Sequence, residues 1–182
     1  MSNTLYLQIN ININYIMSIK KLNVEAILAV DSQMGLARQN TIPWKNKTDL
    51  TFFKNKTINQ VIVMGSTTLL SLPNSAPLKD RINVVVTNNC DKYSKNYEKY
   101  NNIFFVDKIQ VLNLLQYCYK DKTIFIIGGN QIYDMLIPYC STIWLTKIKS
   151  NYDCDLIFNY NIDNFSKTTI YDDSEIEIIR LE

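Results

Sequence analysis

The 182-residue chain contains no histidine. That absence excludes a Ser-His-Asp or Cys-His catalytic unit, a histidine metal site and an imidazole acid–base catalyst. Glycine is nearly as scarce. Only Gly35, Gly65, Gly128 and Gly129 occur, where average usage is ~7%, so each invites a backbone explanation. Arginine occurs three times, Lys and Arg form no dense run, and the net charge is +2, so no nucleic-acid footprint is expected. The four cysteines, Cys90, Cys118, Cys140 and Cys154, are widely spaced with no C-x-x-C. They fit neither a zinc site nor a disulfide scaffold and suit reduced thiols in a cytoplasmic protein. No apolar run has the length of a membrane span, and the N-terminus lacks the layout of a signal peptide.

What is present suits one globular domain: 47% of residues are hydrophobic and 20% charged, in the ordinary range for a soluble fold. Asn (22), Ile (25), Lys (16) and Tyr (12) dominate the composition. All four have AT-rich codons, so much of the surface Asn carries little information. From Leu5 to Ile16, Ile9, Ile11 and Ile13 alternate with Asn10, Asn12 and Asn14, a period of two. Residues 1–20 are read as a disordered or weakly edge-pairing extension, with Met17 an internal start, and residues 21–182 as the domain.

From Leu22 onward β and α patterns alternate. Val24–Val30 reads as a strand buried on both faces, the mark of a parallel sheet. Asp31–Pro43 reads as a loop and Thr48–Thr57 as a helix with Leu50, Phe53 and Phe52 inward. Val61–Met64 is a second strand, turned by Gly65 into a short helix over Thr67–Ser71, and Ile82–Thr87 is a third. Cys90–Asn102 reads as a polar loop and Ile103–Val106 as a strand. Asp107 then caps a helix, with Gln110 completing a capping box and Ile109, Leu112, Leu115 and Tyr119 on its apolar side. Thr123–Ile127 is a strand, Gln131–Leu136 a helix and Thr142–Ile148 a strand. Phe165–Tyr171 and Ile176–Leu181 form a terminal hairpin. The pattern implies a mostly parallel sheet with an antiparallel edge.

Open α/β sheets bind ligands beyond the carboxyl ends of their strands. Loops after Val30, Met64 and Ile127 stand there, and two of them carry glycine before a helix, where backbone N–H groups meet phosphates. Gly128-Gly129 alone also reads as a plain turn. Asp49 reads as a helix cap, or as a carboxylate in an apolar, aromatic setting that holds a cationic or amidine-like group. Arg81 reads as a surface charge or a carboxylate clamp.

The ordered set of motifs is more specific than any one of them. Ile27-Leu28-Ala29-Val30, Met34-Gly35-Leu36, Ile42-Pro43-Trp44 and Asp49-Leu50 with Phe53 come first. Val63-Met64-Gly65 with Thr68, Pro77-Leu78-Lys79-Asp80-Arg81-Ile82-Asn83 and Ile126-Ile127-Gly128-Gly129 with Tyr133 follow. Leu145-Thr146-Lys147-Ile148 and Asp155 with Phe158 complete it. From Leu22 to the end, this resembles dihydrofolate reductase. The resemblance implies a three-layer α/β fold and hydride transfer from NADPH, or NADH, to dihydrofolate, with antifolates as inhibitors. It implies that Asp49, Trp44 and Thr146 serve catalysis. Asp49 would pair with the pterin and raise the proton affinity of N5, Thr146 would support it, and Trp44 would hold an ordered water. Ile27, Leu28, Leu50 and Phe53 would line the substrate site and Arg81 would grip the glutamate α-carboxylate. Ala29, Leu36, Gly65, Ser66, Thr67, Thr68, Thr87, Ile127, Gly128, Gly129, Asn130, Gln131, Ile132 and Tyr133 would hold the cofactor, with a cis Gly128-Gly129 bond. No metal and no nucleic-acid or membrane partner is implied; a fused or associated thymidylate synthase is.

The chain departs from the family pattern at several places. Ser66 and Thr67 stand where a basic residue usually meets the cofactor's 2′-phosphate, and Thr87-Asn88 lacks the one often found there. Ala37 and Asp80 replace glycines and Leu69 replaces a Trp. A positive φ at Ala37 is expected to strain its loop. Two other readings stay open: a riboflavin-pathway reductase, and a folate- or nucleotide-binding relative without efficient catalysis.

Overall fold

The computed structural model describes residues 23–118 and 121–182. The N-terminal extension and Tyr119 lie outside them. β1 (Val24–Val30), β2 (Gly35–Ala37), β3 (Val61–Gly65), β4 (Ile82–Val86) and β5 (Ile103–Val106) are followed by β6 (Ile124–Ile126) and β7 (Thr142–Ile148). β8 (Leu156–Ile157), β9 (Lys167–Asp172) and β10 (Ile176–Leu181) complete the strands. The helices are α1 (Lys47–Thr57), α2 (Ser66–Ser71), α3 (Cys90–Asn96), α4 (Val111–Cys118) and α5 (Asn130–Leu136).

Eight strands form one sheet in the order β5-β4-β3-β6-β1-β7-β10-β9. The pairs from β5 to β7 are parallel, whereas β10 is antiparallel to both neighbours. The antiparallel hairpin therefore closes one edge, as expected. The parallel strands are apolar on both sides because both sides are covered. Val24, Ala26, Leu28 and Val30 of β1 point into a core with Val111 and Leu115 of α4 and Ile132, Tyr133 and Leu136 of α5. Ile27 points the other way, with Ile62, Met64, Val85 and Trp144, under Phe52 and Phe53 of α1 and Leu69 of α2. Helices on both faces make three layers.

Several local expectations are corrected. Cys90–Asn102 is not all loop, because α3 occupies its first half. Tyr93 and Tyr97, one turn apart, pack against Phe105. Ile109 is 84% exposed because it lies in the turn before α4. Val111, in the first turn, takes the buried place. Asp107 Oδ1 does accept from the Ile109 and Gln110 N–H groups, at 2.9 and 2.8 Å. Leu50 is 60% exposed rather than inward. Ala37 lies in the extended strand β2, with no positive φ, so the expected strain is absent. Asp80 does adopt φ +58°, a left-handed conformation that Asp tolerates better than most residues.

β2 pairs with the two-residue β8, which the sequence did not suggest. Gly35 is buried beneath β8's approach. A Cβ built there would collide with Cys154 Cβ and stand 2.8 Å from its Sγ and 2.9 Å from Asp31 Oδ1. Burial raises the pKa of Asp31, but backbone N–H groups of Tyr152, Gly35 and Gln33 bond its carboxylate and hold it below the usual range. Burial, with the same carboxylate second, pushes the Cys154 thiol up to about 11. Gly35→Ala is expected to destabilise the protein by about 3 kcal/mol, the upper range for overpacking against anchored atoms. Chemical denaturation measures this, and a loss under about 0.5 kcal/mol, the range of neutral surface changes, would show that Cys154 yields freely.

Candidate active site

Asp49 sits in the first turn of α1. The Asn46 side chain caps that helix, its Oδ1 accepting from the Asp49 N–H at 3.0 Å. The cap directs the half-buried Asp49 carboxyl at β7. Burial raises its pKa above the usual carboxylate value, and the nearby Thr146 hydroxyl opposes the rise. Thr146 itself is 2% exposed and pairs with Ala29 of β1 and Ile178 of β10. A carboxyl so held can accept two N–H donors from a flat heterocycle and favour protonation nearby.

Trp44, 6% exposed, packs with Ile148, Ile176 and Ile178 and against Ala29 and Phe52. Its ring lies 5.5 Å from that of Tyr152. Among the described residues its buried Nε1–H has no partner, and a buried donor costs free energy unless something bonds it. A water or ligand acceptor fits that place.

Ile27 and Phe53 line the same α1-side layer, with the exposed Leu50 beside them on the helix. Leu28 does not: strand alternation places its side chain in the opposite core, so only its backbone can serve the site. Arg81 is anchored at the far end of α1. Its Nε and Nη2 donate to Thr57 Oγ1 at 3.3 and 3.2 Å, and Nη1 donates to the Lys79 carbonyl at 2.8 Å. Burial lowers its pKa and Asp80 opposes that. The fully buried Asn83 side chain fixes the approach to β4 by bonding the Leu78, Arg81 and Asn102 backbone. Asp49 and Arg81 thus stand near opposite ends of one helix, some 12 Å apart along its axis at 1.5 Å per residue.

Across the sheet, α2 and α5 begin where β3 and β6 end. The Gly65 N–H donates to the Gly128 carbonyl at 2.8 Å, which joins the two turns. The Gly128-Gly129 peptide is cis, and Gly128 has φ +100°. A Cβ at Gly128 would lie 2.8–3.1 Å from the Tyr133 ring and hydroxyl, and one at Gly129 3.5 Å from Thr68 Oγ1. Tyr133 donates to the Ile27 carbonyl at 3.0 Å, and burial raises its pKa. Ser66, Thr67, Thr68, Asn130 and Gln131 all lie in first helical turns, whose N–H groups lack intrahelical partners. The Asn130 Oδ1 is buried and unpartnered among the described residues. This donor set fits a dinucleotide's pyrophosphate and carboxamide. Ile132 does not offer its side chain, which is buried in the core, and Leu36 is likewise buried there. Ile127 packs on the α1-side layer. Thr87 is buried, its Oγ1 accepting from the Asn89 N–H.

Residues 23–177 match the family model described as dihydrofolate reductase. The dihydrofolate reductase of Ureaplasma parvum is 34% identical over 142 residues, covering 76% of this chain and 84% of that protein. A bifunctional dihydrofolate reductase-thymidylate synthase of Paramecium tetraurelia is 34% identical over 139 residues, 75% of this chain. The chain spans only 27% to 28% of the length of such bifunctional relatives. A dihydrofolate reductase from Enterococcus faecalis, solved with NADP(H) and RAB-propyl, superposes with a TM-score of 0.72 at 25% identity, covering 90% of this chain and 96% of that one. No helix among the described residues is long and apolar enough to cross a membrane.

Proposed function

The chain belongs to the dihydrofolate reductase family, and from that premise we propose how its residues reduce 7,8-dihydrofolate to tetrahydrofolate. It is an NADPH-dependent oxidoreductase. The bound cofactor supplies a hydride, and the protein supplies orientation and electrostatics. Gly65 to Thr68 and Gly128 to Gln131 would hold the pyrophosphate, and Ala29 and Ile127 would border the nicotinamide. Asp49 accepts the pterin's amino and ring N–H groups and favours a proton on N5. Thr146 holds that carboxylate in place, and the Trp44 indole N–H orders the water that delivers the proton. Phe53, Ile27 and Leu50 flank the ring system, and Arg81 receives the glutamate carboxylate. The observation that carries this reading is the half-buried Asp49 carboxyl beside the buried Thr146 hydroxyl, in a chain without histidine.

The test is dihydrofolate-dependent loss of the reduced nicotinamide's near-ultraviolet absorbance. Absence of any turnover by folded protein would favour a binding relative instead. Diaminopyrimidine antifolates are expected to bind through Asp49. A cytoplasmic location and a fused or associated thymidylate synthase, as in the bifunctional relatives, are part of the same proposal.

Cofactor discrimination is expected to be weak. Ser66 and Thr67 offer hydroxyls to a 2′-phosphate but no neutralising charge. The ratio of kcat/KM for NADPH over NADH is expected to stay below about 100, which corresponds to ~2.7 kcal/mol. Steady-state kinetics with both cofactors measure it. A preference of several orders of magnitude would overturn the expectation and point to a cation from elsewhere, such as Lys92 on α3.

A further inference from the structure

Glu25 interrupts the apolar run of β1, and the reaction as described has no use for it. Its Oε2 accepts the Trp144 indole N–H at 2.6 Å. The Lys56 ammonium lies 3.3 Å from the centroid of the same indole, over its face, and 5.8 Å from that of Phe52. Phe52 meets Trp144 edge-on at 5.7 Å. Arg180, opposite Trp144 on β10, brings its guanidinium carbon to 5.6 Å from the ring.

These contacts are in line with the catalytic pair. Asp49, Phe52 and Lys56 share one stripe of α1, being three and then four residues apart. Thr146 and Trp144 are two apart on one face of β7, beside Ala29 and Ile27 of β1. Each residue of the stripe meets its rung: Asp49 on Thr146, Phe52 on Trp144, Lys56 on Trp144 above Glu25. Thr57 is the one fully buried residue of α1, and Phe52 and Phe53 pack on the sheet while only partly buried. A cation over a desolvated indole contributes to attachment where apolar area is scarce.

We propose that the Glu25–Trp144–Lys56 stack is a positioning device for the reaction, fixing the rotation of α1 on the sheet so that the Asp49 carboxyl meets Thr146 and the pterin. The proposal rests on the reading of Asp49 given above. Loosening the stack lets α1 roll, which weakens substrate alignment and admits water to Asp49. Solvation brings the Asp49 pKa down toward its ordinary value. The charged and titratable groups facing Lys56 are Glu25 from β1 and Arg180 from β10, with the Cys140 thiol beyond Glu25, pushed up to about 12 chiefly by burial. Beside Asp49 stands Thr146 from β7, and the charge of Asp49 is felt by the Tyr133 phenol from the opposite layer. Removing the Lys56 charge as such acts the opposite way, raising the Asp49 pKa, but across about 10 Å of helix this is screened. The sign of the shift therefore separates repositioning from charge loss.

The experiment compares Lys56→Met, Lys56→Arg and Trp144→Phe with wild type and Asp49→Asn, reading KM for dihydrofolate, kcat, the pH midpoint of kcat/KM and the thermal midpoint. Lys56→Met is expected to raise KM about five- to tenfold, in line with a desolvated cation–π contact, and to move the pH midpoint downward. Lys56→Arg, which keeps a cation over the ring, is expected to restore both. Trp144→Phe covers the case in which Lys56→Met folds poorly. Thermal destabilisation with wild-type KM and pH midpoint, or failure of Lys56→Arg to restore them, overturns the proposal. An Asp49→Asn protein with full activity overturns the reading beneath it as well.

Discussion

Asp49→Asn is expected to lower kcat at neutral pH by a factor between about a hundred and ten thousand, the range for removing a positioned proton-transfer group. The substitution is nearly isosteric, so the Asn46 cap bond to the residue-49 N–H survives. What is lost is the charge that pairs with the pterin and favours protonation at N5. The residual rate is expected to rise as pH falls, because solvent must then protonate the substrate unaided. Stability is expected to move the other way. Burial raises the folded pKa of Asp49 above the ordinary carboxylate value of 3.8. Its contribution to stability is therefore fully present below that ordinary value and is lost as pH rises through the folded pKa, where the buried group must ionise. At neutral pH the neutral Asn variant is expected to be the more stable protein without ligand. Thermal melts at neutral pH and at pH values below about 4, paired with the pH–rate profile, measure both effects. A fully active variant near neutrality would remove Asp49 from the mechanism.

Gly128→Ala is expected to abolish productive cofactor binding. Two independent costs fall on the same atom. At φ +100° an L side chain is strained, at about 1–2 kcal/mol. The new methyl also lies 2.8 Å from Tyr133 Cε2. Tyr133 cannot simply swing aside, because its ring is 4% exposed, meets Phe158 edge-on at 6.1 Å and donates to the Ile27 carbonyl. Relief must come from the backbone, and the Gly128 carbonyl that bonds the Gly65 N–H moves with it. Both phosphate-facing turns are thereby disturbed. A loss of NADPH affinity of at least about a hundredfold is expected, equal to ~2.7 kcal/mol, with a lower thermal midpoint. Calorimetric titration with NADPH checks this. Near-normal affinity would show that the turn does not hold the pyrophosphate.

Much of the fold was legible because parallel strands buried on both faces read as apolar runs bounded by polar segments, as β1, β3 and β7 do. The same continuity hides which face a residue takes: the Leu28 side chain lies in the core opposite that of Ile27. α3 is hard to read because its sequence is polar and none of its own residues is fully buried. The signal was present in the four-residue spacing of Tyr93 and Tyr97. β8 has two residues and no pattern of its own; it exists because Asp155 and Phe158 donate to the Ala37 and Met34 carbonyls. Ala37 was judged by its place in a pattern, whereas its actual conformation is set by that pairing.

The absent histidine and the four placed glycines are properties of the chain itself. The first left the chemistry to carboxylates, thiols, lysines, tyrosines or a bound cofactor, and the second marked turns before helices, since residue type alone determines which protons can move and which backbone angles are open. Where Asp49 points was decided only by tertiary structure. Its proton affinity depends on burial and on Thr146, nearly a hundred positions away in the sequence. The same holds for Glu25, Lys56 and Trp144, three residues with no sequence relation until β1, α1 and β7 bring them onto one face. Desolvation and contact depend on what lies within a few ångströms, and sequence spacing carries that information only along a single helix or strand.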